Sequence, residues 1–240
     1  MRMIGLVLVG VFLAGAAGAQ SIVAPKVTPS DTWIYQDTLD GRAGWKQTRV
    51  ESTVVRAGTS SIVVSNKPVG SSNPPVEFLL GPDWSRLRSV NGQETVVNQP
   101  LSFPLRIGKS WDIDFTEDQP NRLHSSEHWR TSYKVTGWDD VTVPAGTFHA
   151  LKIEAEGSWS AVMAPASTGV AGTRTDGQGT TAVVQTARTG PMTVTGRTYR
   201  AVWYAPGVKR LVKSDEEFFD SNGVRYLHFL SELMSYKVAD

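Results

Sequence analysis

The sequence predicts an all-β protein: a strongly curved antiparallel sheet, half-barrel or barrel, of about ten to thirteen short strands with a long Gly/Thr-rich loop. Three observations predict it. Apolar residues alternate with polar ones along most of the chain, helical periodicity is nearly absent, and turn dipeptides recur at short intervals. The turn signals are Asp40-Gly41, Gly81-Pro82, Asn91-Gly92, Ala145-Gly146, Pro206-Gly207 and Asn222-Gly223.

The elements follow in order. MRMIGLVLVGVFLAGAAGA at residues 1–19 has a basic Arg2, an apolar run from Ile4 to Leu13 and the small residues Ala17-Gly18-Ala19. This three-part pattern predicts a secretory signal peptide cut before Gln20, favoured over an uncleaved anchor because of those small residues. Residues 20–30 form a lead segment, and 31–240 are expected to form a single β domain. DTWIYQDTL, WKQTRVESTVV, SSIVVSNK, VEFLLG, WSRLRSV and ETVVNQ read as the first strands, separated by loops such as the Pro/Ser/Gly stretch 68–75. WDIDF puts Trp111, Ile113 and Phe115 on one face; EHWRTSYKV does the same with Trp129, Thr131, Tyr133 and Val135. FHALKIEAEG carries apolar residues on both faces, which predicts a strand covered on two sides. RTYRAVWYAPG, VKRLVKSDEEF and GVRYLHFLSEL complete the set. In the last, Tyr226, Phe229, Leu230 and Leu233 also fit helical spacing, but the β-rich flanks favour strand. Residues 164–196 interrupt the pattern, with 21 of 33 being Gly, Ala, Ser or Thr. So little apolar surface predicts a mobile low-complexity excursion rather than a lid.

Composition narrows the function classes. The chain has no Cys, which excludes disulfides, thiolate metal sites and lipid attachment at a cleavage-site cysteine. Loss of Arg2 with the signal leaves 23 basic against 23 acidic residues, so no charge excess points to nucleic acid. No stretch approaches the length of a transmembrane helix. These features predict a soluble periplasmic or secreted protein.

Four patterns resemble chemistry. HSSEH, His124 to His128, has the H-x-x-E-H spacing of a class of zinc peptidases. On a helix two histidines four apart share a metal; in a strand they lie about 13 Å apart, too far for one zinc. The strand that follows favours the second arrangement. IGKSW ends like a phosphate-binding loop, but Phe103 stands where the first glycine belongs, and a strand follows instead of a helix. Asp112, Asp114, Glu117 and Asp118 lack the turn glycine and closing Glu of a calcium loop, which predicts a solvated strand face. Asp139-Asp140 is expected to form a turn. No G-x-S-x-G occurs, and the remaining His149 and His228 fall in predicted strands. No catalytic, metal or cofactor residue is assigned.

Three phrases carry a resemblance: GKSW (Gly108–Trp111), VPAGTF (Val143–Phe148) followed by Leu151-Lys152-Ile153, and WYAPGV (Trp203–Val208). Read together over Phe103 to Val238, they resemble a widespread set of bacterial exported β proteins of unknown function. That resemblance implies a curved sheet similar to those of the LolA and LppX type of periplasmic lipoprotein carriers. Physically the phrases are strand corners, with Pro206-Gly207 suited to a type II turn.

The expectation that follows is a non-catalytic envelope protein binding a lipid or other hydrophobic small molecule inside the curved sheet. Its cavity lining would be the aromatic residues Trp111, Trp129, Tyr133, Trp159 and Trp203. The alternatives are a structural or protein-interaction module with an envelope protein as partner, and, more remotely, an envelope lipid or glycan hydrolase.

Overall fold

The computed structural model describes residues 21–164 and 192–239. The expected signal peptide and most of the Gly/Thr-rich excursion lie outside the described residues. Within them the strands are β1 (Thr32–Gly41), β2 (Gly44–Ala57), β3 (Ile62–Pro68), β4 (Val76–Leu80), β5 (Arg86–Val90) and β6 (Gln93–Asn98). They continue with β7 (Ser110–Asp118), β8 (His124–Val143), β9 (Gly146–Met163), β10 (Thr193–Ala205), β11 (Arg210–Asp220) and β12 (Arg225–Lys237). All pairing is antiparallel, in the order β6-β5-β4-β3-β2-β1-β12-β11-β10-β9-β8-β7. Each strand pairs with its neighbours in the chain except β6 and β7, which are not paired with each other, and β1 also pairs with β12.

The sheet curls into a nearly closed barrel whose seam lies between β6 and β7. Side chains bridge the seam in place of a backbone ladder. Asn91 accepts from the Asp118 amide (2.9 Å) and donates to the Thr116 carbonyl (3.0 Å), Arg88 pairs with Glu117, and the Trp111 indole donates to the Gln99 carbonyl. Asn91 has φ 51°, a conformation Asn tolerates better than most residues.

Register turns alternation into an inside and an outside. One rung runs Trp111, Tyr133, Ala155, Arg200, Glu216, Phe229, Leu39 across β7, β8, β9, β10, β11, β12 and β1. The next runs Ile113, Thr131, Gly157, Thr198, Phe218, Leu227, and the one beyond it Phe115, Trp129, Trp159, Gly196. Side chains two apart on a strand share a face, so these residues all line the interior.

One end of the barrel is sealed. Trp33, Trp84, Leu101, Leu105, Tyr204 and Val208 are buried there, and Trp33 meets Trp84 edge-on at 5.4 Å. Their indole N–H groups donate to the carbonyls of Val208 and Lys209, which satisfies the polar tips that burial would otherwise orphan. The lead segment stitches across this end through paired backbone bonds between Ile22 and Leu105. Asp31, 1% exposed, ties the lead to the C-terminus: its carboxylate accepts from the Thr28 and Ala239 amides and pairs with Lys209. Burial alone would raise its pKa, but those backbone bonds and Lys209 together hold it below the ordinary value.

Two expectations are corrected here. Asp139-Asp140 is not a turn; both residues lie within β8, which runs on to Val143 before turning. There Asp140 pairs with His149, while Trp138 stacks on the His149 ring. Pro206-Gly207 does not form a type II turn, since Gly207 lacks the positive φ that turn needs. Pro206–Val208 is one 3-10 turn, and Lys209 takes the left-handed position at φ 62°. The last segment is strand β12, as its flanks favoured. The two-sided burial expected of FHALKIEAEG also holds, because Ala150, Leu151 and Ile153 are all buried.

Candidate functional site: the barrel lumen

The middle of the barrel is not aliphatic. Arg200 and Glu216, neighbours across β10 and β11, form an ion pair at 2.6 Å, with side chains 22% and 18% exposed. The other Arg200 nitrogen donates to Asn98 Oδ1 (2.7 Å), an oxygen that also accepts from the Tyr133 hydroxyl (3.0 Å). The Ser214 hydroxyl donates to the second Glu216 oxygen. Burial disfavours the Arg200 charge, but Glu216 and Tyr133 more than offset it, so the guanidinium is held firmly protonated. Burial also pushes the Tyr133 phenol up.

A cavity of about 140 Å³ lies against this network, lined by Asn98, Trp129, Thr131, Tyr133, Thr198, Arg200, Glu216 and Phe218 among others. A second, of about 210 Å³, shares Glu216 and continues past Ser214 to Tyr35, Asp37, Ser52, Asn66, Arg210 and Ser231. Hydroxyl, amide and charged groups make up much of both walls. The purely apolar funnel expected for an acyl chain is therefore replaced by a mixed one.

Four of the five aromatic residues singled out from sequence share the inner face. Tyr133 and Trp129 line the smaller cavity. Trp111 stacks flat on Tyr133 (5.2 Å, 1°), and Trp129 stacks on Trp159 (5.8 Å, 25°). Trp159 sits over Gly196, where an added Cβ would meet its ring at 2.5 Å; its indole nitrogen is buried without a partner among the described residues. It also borders a surface groove of about 400 Å³ with His128, Arg197 and Asp220. Trp203 is different. Its neighbours Val202 and Tyr204 point inward, so it faces out, between the ammonium groups of Lys152 and Lys213 with its indole donating to Asp139. It takes no part in the lumen, a correction that follows from strand parity.

The HSSEH histidines lie on strand β8 and serve separate carboxylates, His124 with Glu127 and His128 with Asp114. Burial would raise the Glu127 carboxyl, but bonds from His124 and the Trp129 indole hold it below its ordinary value. Lys109 of GKS reaches back to the Ser102 and Pro104 carbonyls at the entrance to β7. Asp112 and Asp114 are exposed, while Glu117 is drawn into the seam by Arg88. Among the described residues no three His, Asp or Glu side chains gather as a metal site.

Arg200, Glu216, Asn98 and Arg210 were not singled out from sequence. A signal existed for two of them. Arg200 is in phase with Val202 and Tyr204, and Glu216 with Ser214 and Phe218, so each interrupts an inward-facing series with a charge. Nothing short of the β10–β11 register shows that the two charges meet.

Solved structures with overall similarity cover nearly the whole chain. One is a candidate lipoprotein from Parabacteroides distasonis, at 13% identity and TM-score 0.44, spanning 91% of this chain and 100% of that one. A candidate exported protein with a YmcC-like fold from Bacteroides fragilis matches at 13% identity and TM-score 0.40, with the same coverage. The hypothetical lipoprotein YmcC of Escherichia coli K12 matches at 10% identity and TM-score 0.32, covering 90% of each chain. No protein-family model matches the chain, and a search of curated proteins finds no relative.

Proposed function

We propose that this chain is an exported, non-catalytic binding protein that takes a small amphipathic molecule into its barrel lumen. The observation that carries the reading is the cavity between the Trp129–Tyr133 wall and the Arg200–Glu216 pair. A barrel that only needed a solid core would place aliphatic side chains at those positions, because a buried ion pair is weak evidence of stabilisation. Ligand pockets pair apolar walls with a few fixed polar groups, as here. The size points to a short molecule. The two cavities, about 140 and 210 Å³, each fall below the roughly 300–1,000 Å³ usual for drug-sized ligands. Export rests on the signal pattern of residues 1–19 and on the resemblance of the VPAGTF and WYAPGV phrases to an exported β family of unknown function.

Native mass spectrometry of detergent-free protein tests the reading: a non-covalent adduct that dissociates on denaturation is expected. Trp129→Ala should abolish the adduct while Trp203→Ala leaves it intact. A bare mass from several hosts, with no uptake of small amphipathic probes, would mean that the lumen is core alone.

One observation favours a second reading, an interaction module for an envelope protein. The hairpins at the end opposite the sealed one carry Trp45 (65% exposed), Leu123 (67%) and Val224 (58%). Chemical crosslinking in envelope extracts, with Trp45→Ser as control, would reveal such a partner.

A further inference from the structure

Arg210 opens β11 and projects among three aromatic rings, its guanidinium carbon 5.1 Å from the Trp33 centroid, 5.2 Å from Tyr35 and 4.8 Å from Trp84. The cage fixes the cation by its ring faces. It leaves the N–H groups unused: Arg210 has no ion pair or side-chain hydrogen bond among the described residues, and its Nη1 is buried without a partner. Among the described residues other buried charged and hydroxyl groups are paired, as in Arg200 with Glu216, Asp31 with Lys209 and Ser52 with Asn66; of the fully buried side-chain polar atoms only the Trp159 indole shares the lack of a partner. A buried guanidinium donor without an acceptor is costly unless something else fills the place.

Arg210 lines the 210 Å³ cavity, whose wall also carries Tyr35, Asp37, Ser52, Asn66, Ser214 and Ser231. Two acids face this space. Glu216 is neutralised by Arg200, and Asp37 accepts from Ser231 at 2.6 Å without approaching Arg210 to ion-pair distance. Burial also shifts Asp37 toward its neutral form. Lys213 turns its ammonium onto the outward-facing Trp203 and Glu232, so Arg210 is the cation that serves this space. Positive charge with free donors, hydroxyl groups and a small volume together suit a planar anion. A guanidinium fork matches a carboxylate in two parallel hydrogen bonds.

We infer that the lumen ligand is a short-chain carboxylate whose anionic group docks on Arg210, the cation that the Trp33–Tyr35–Trp84 cage holds at the cavity wall. The inference deepens the lumen-binding reading and rests on it. The rings hold the cation in place, and among the described residues it makes no ion pair with Asp37.

Hexanoate and its uncharged counterpart hexanamide are titrated into the full chain, following tryptophan fluorescence and heat of binding. Inorganic phosphate serves as a second anion. Saturable hexanoate binding, at least about tenfold tighter than hexanamide and weakened about tenfold or more by Arg210→Gln, is expected, since a charge-assisted bidentate pair contributes on that scale. Equal binding of acid and amide would overturn the carboxylate assignment while leaving the lumen reading standing. Unchanged hexanoate affinity in Arg210→Gln would do the same. Phosphate binding more tightly than hexanoate would replace the carboxylate with a free inorganic anion. If neither organic probe binds, both readings fall. The acid-to-amide comparison uses the unaltered protein, so it stands even if Arg210→Gln fails to fold.

Discussion

Replacing Glu216 by Gln removes one charge from the centre of the barrel and changes the shape of the side chain very little. Arg200 then keeps only neutral acceptors, Asn98 Oδ1 at 2.7 Å and a Tyr133 hydroxyl at 3.5 Å. Breaking a fully buried pair costs about 3–5 kcal/mol because the surviving charge is left uncompensated. A surface pair contributes about 0–1 kcal/mol. With both side chains roughly four-fifths covered, the expected loss is about 2–3 kcal/mol, discounted from the buried limit for residual solvent screening. For a domain of this size that lowers Tm by about 4–12 °C. Urea unfolding at neutral pH, followed by tryptophan fluorescence, gives the free energy directly. The paired change Arg200→Met/Glu216→Leu should recover stability to within about 1 kcal/mol of the parent, since an apolar pair avoids the desolvation cost. A Glu216→Gln loss under about 0.5 kcal/mol would refute the reasoning: the lumen would then screen charge as bulk solvent does.

Three further outcomes are expected. Asp31→Asn should cost about 2–3 kcal/mol at neutral pH by leaving Lys209 unpaired in a covered site. Because the folded-state pKa of Asp31 is depressed, its contribution is present above the unfolded value and lost as pH falls through the folded one. Parent and variant midpoints should therefore converge in acid, and a constant gap would count against the assignment. Gly196→Ala should cost about 1–3 kcal/mol by overpacking, since its Cβ would meet the Trp159 ring and the Phe219 carbonyl; thermal melts within error of the parent would show that Trp159 can move. Asn91→Gly keeps the positive φ but removes both seam bonds, so amide exchange in β6 and β7 should accelerate while β9 and β10 stay protected. Uniform exchange across all four strands would mean that Asn91 does not hold the seam.

Much of the architecture is legible locally. Alternation in WDIDF and EHWRTSYKV is a two-residue period, which any sheet must split into two faces, so Trp111 could be grouped with Ile113 and Phe115, and Trp129 with Tyr133, before any pairing was known. Turn chemistry carried less information than it promised. Pro206-Gly207 satisfies a type II turn on paper, but Lys209 takes the left-handed position once the Val208 carbonyl receives the Trp33 indole from 175 residues away. Asp139-Asp140 reads as a turn until the β8–β9 register extends past it.

The sequence by itself determined the fold class, the strand count to within a narrow range and the lack of cysteine chemistry. Each follows from composition or from short-range periodicity, which tertiary context seldom overrides over many strands. Only the tertiary structure decided which face is the inside, because a strand's parity states that two sets exist but not which one the curvature encloses. Trp203 shows the difference: as apolar as Trp129, it lies outside between two lysines. Closure of β1 on β12 brought Asp37 beside Ser231, and the β10–β11 register brought Arg200 onto Glu216. The cage around Arg210 draws its rings from β1 and from the loop before β5, contacts 126–177 residues apart in sequence. Polar groups in the lumen depend on such long-range pairing, and no local pattern encodes them.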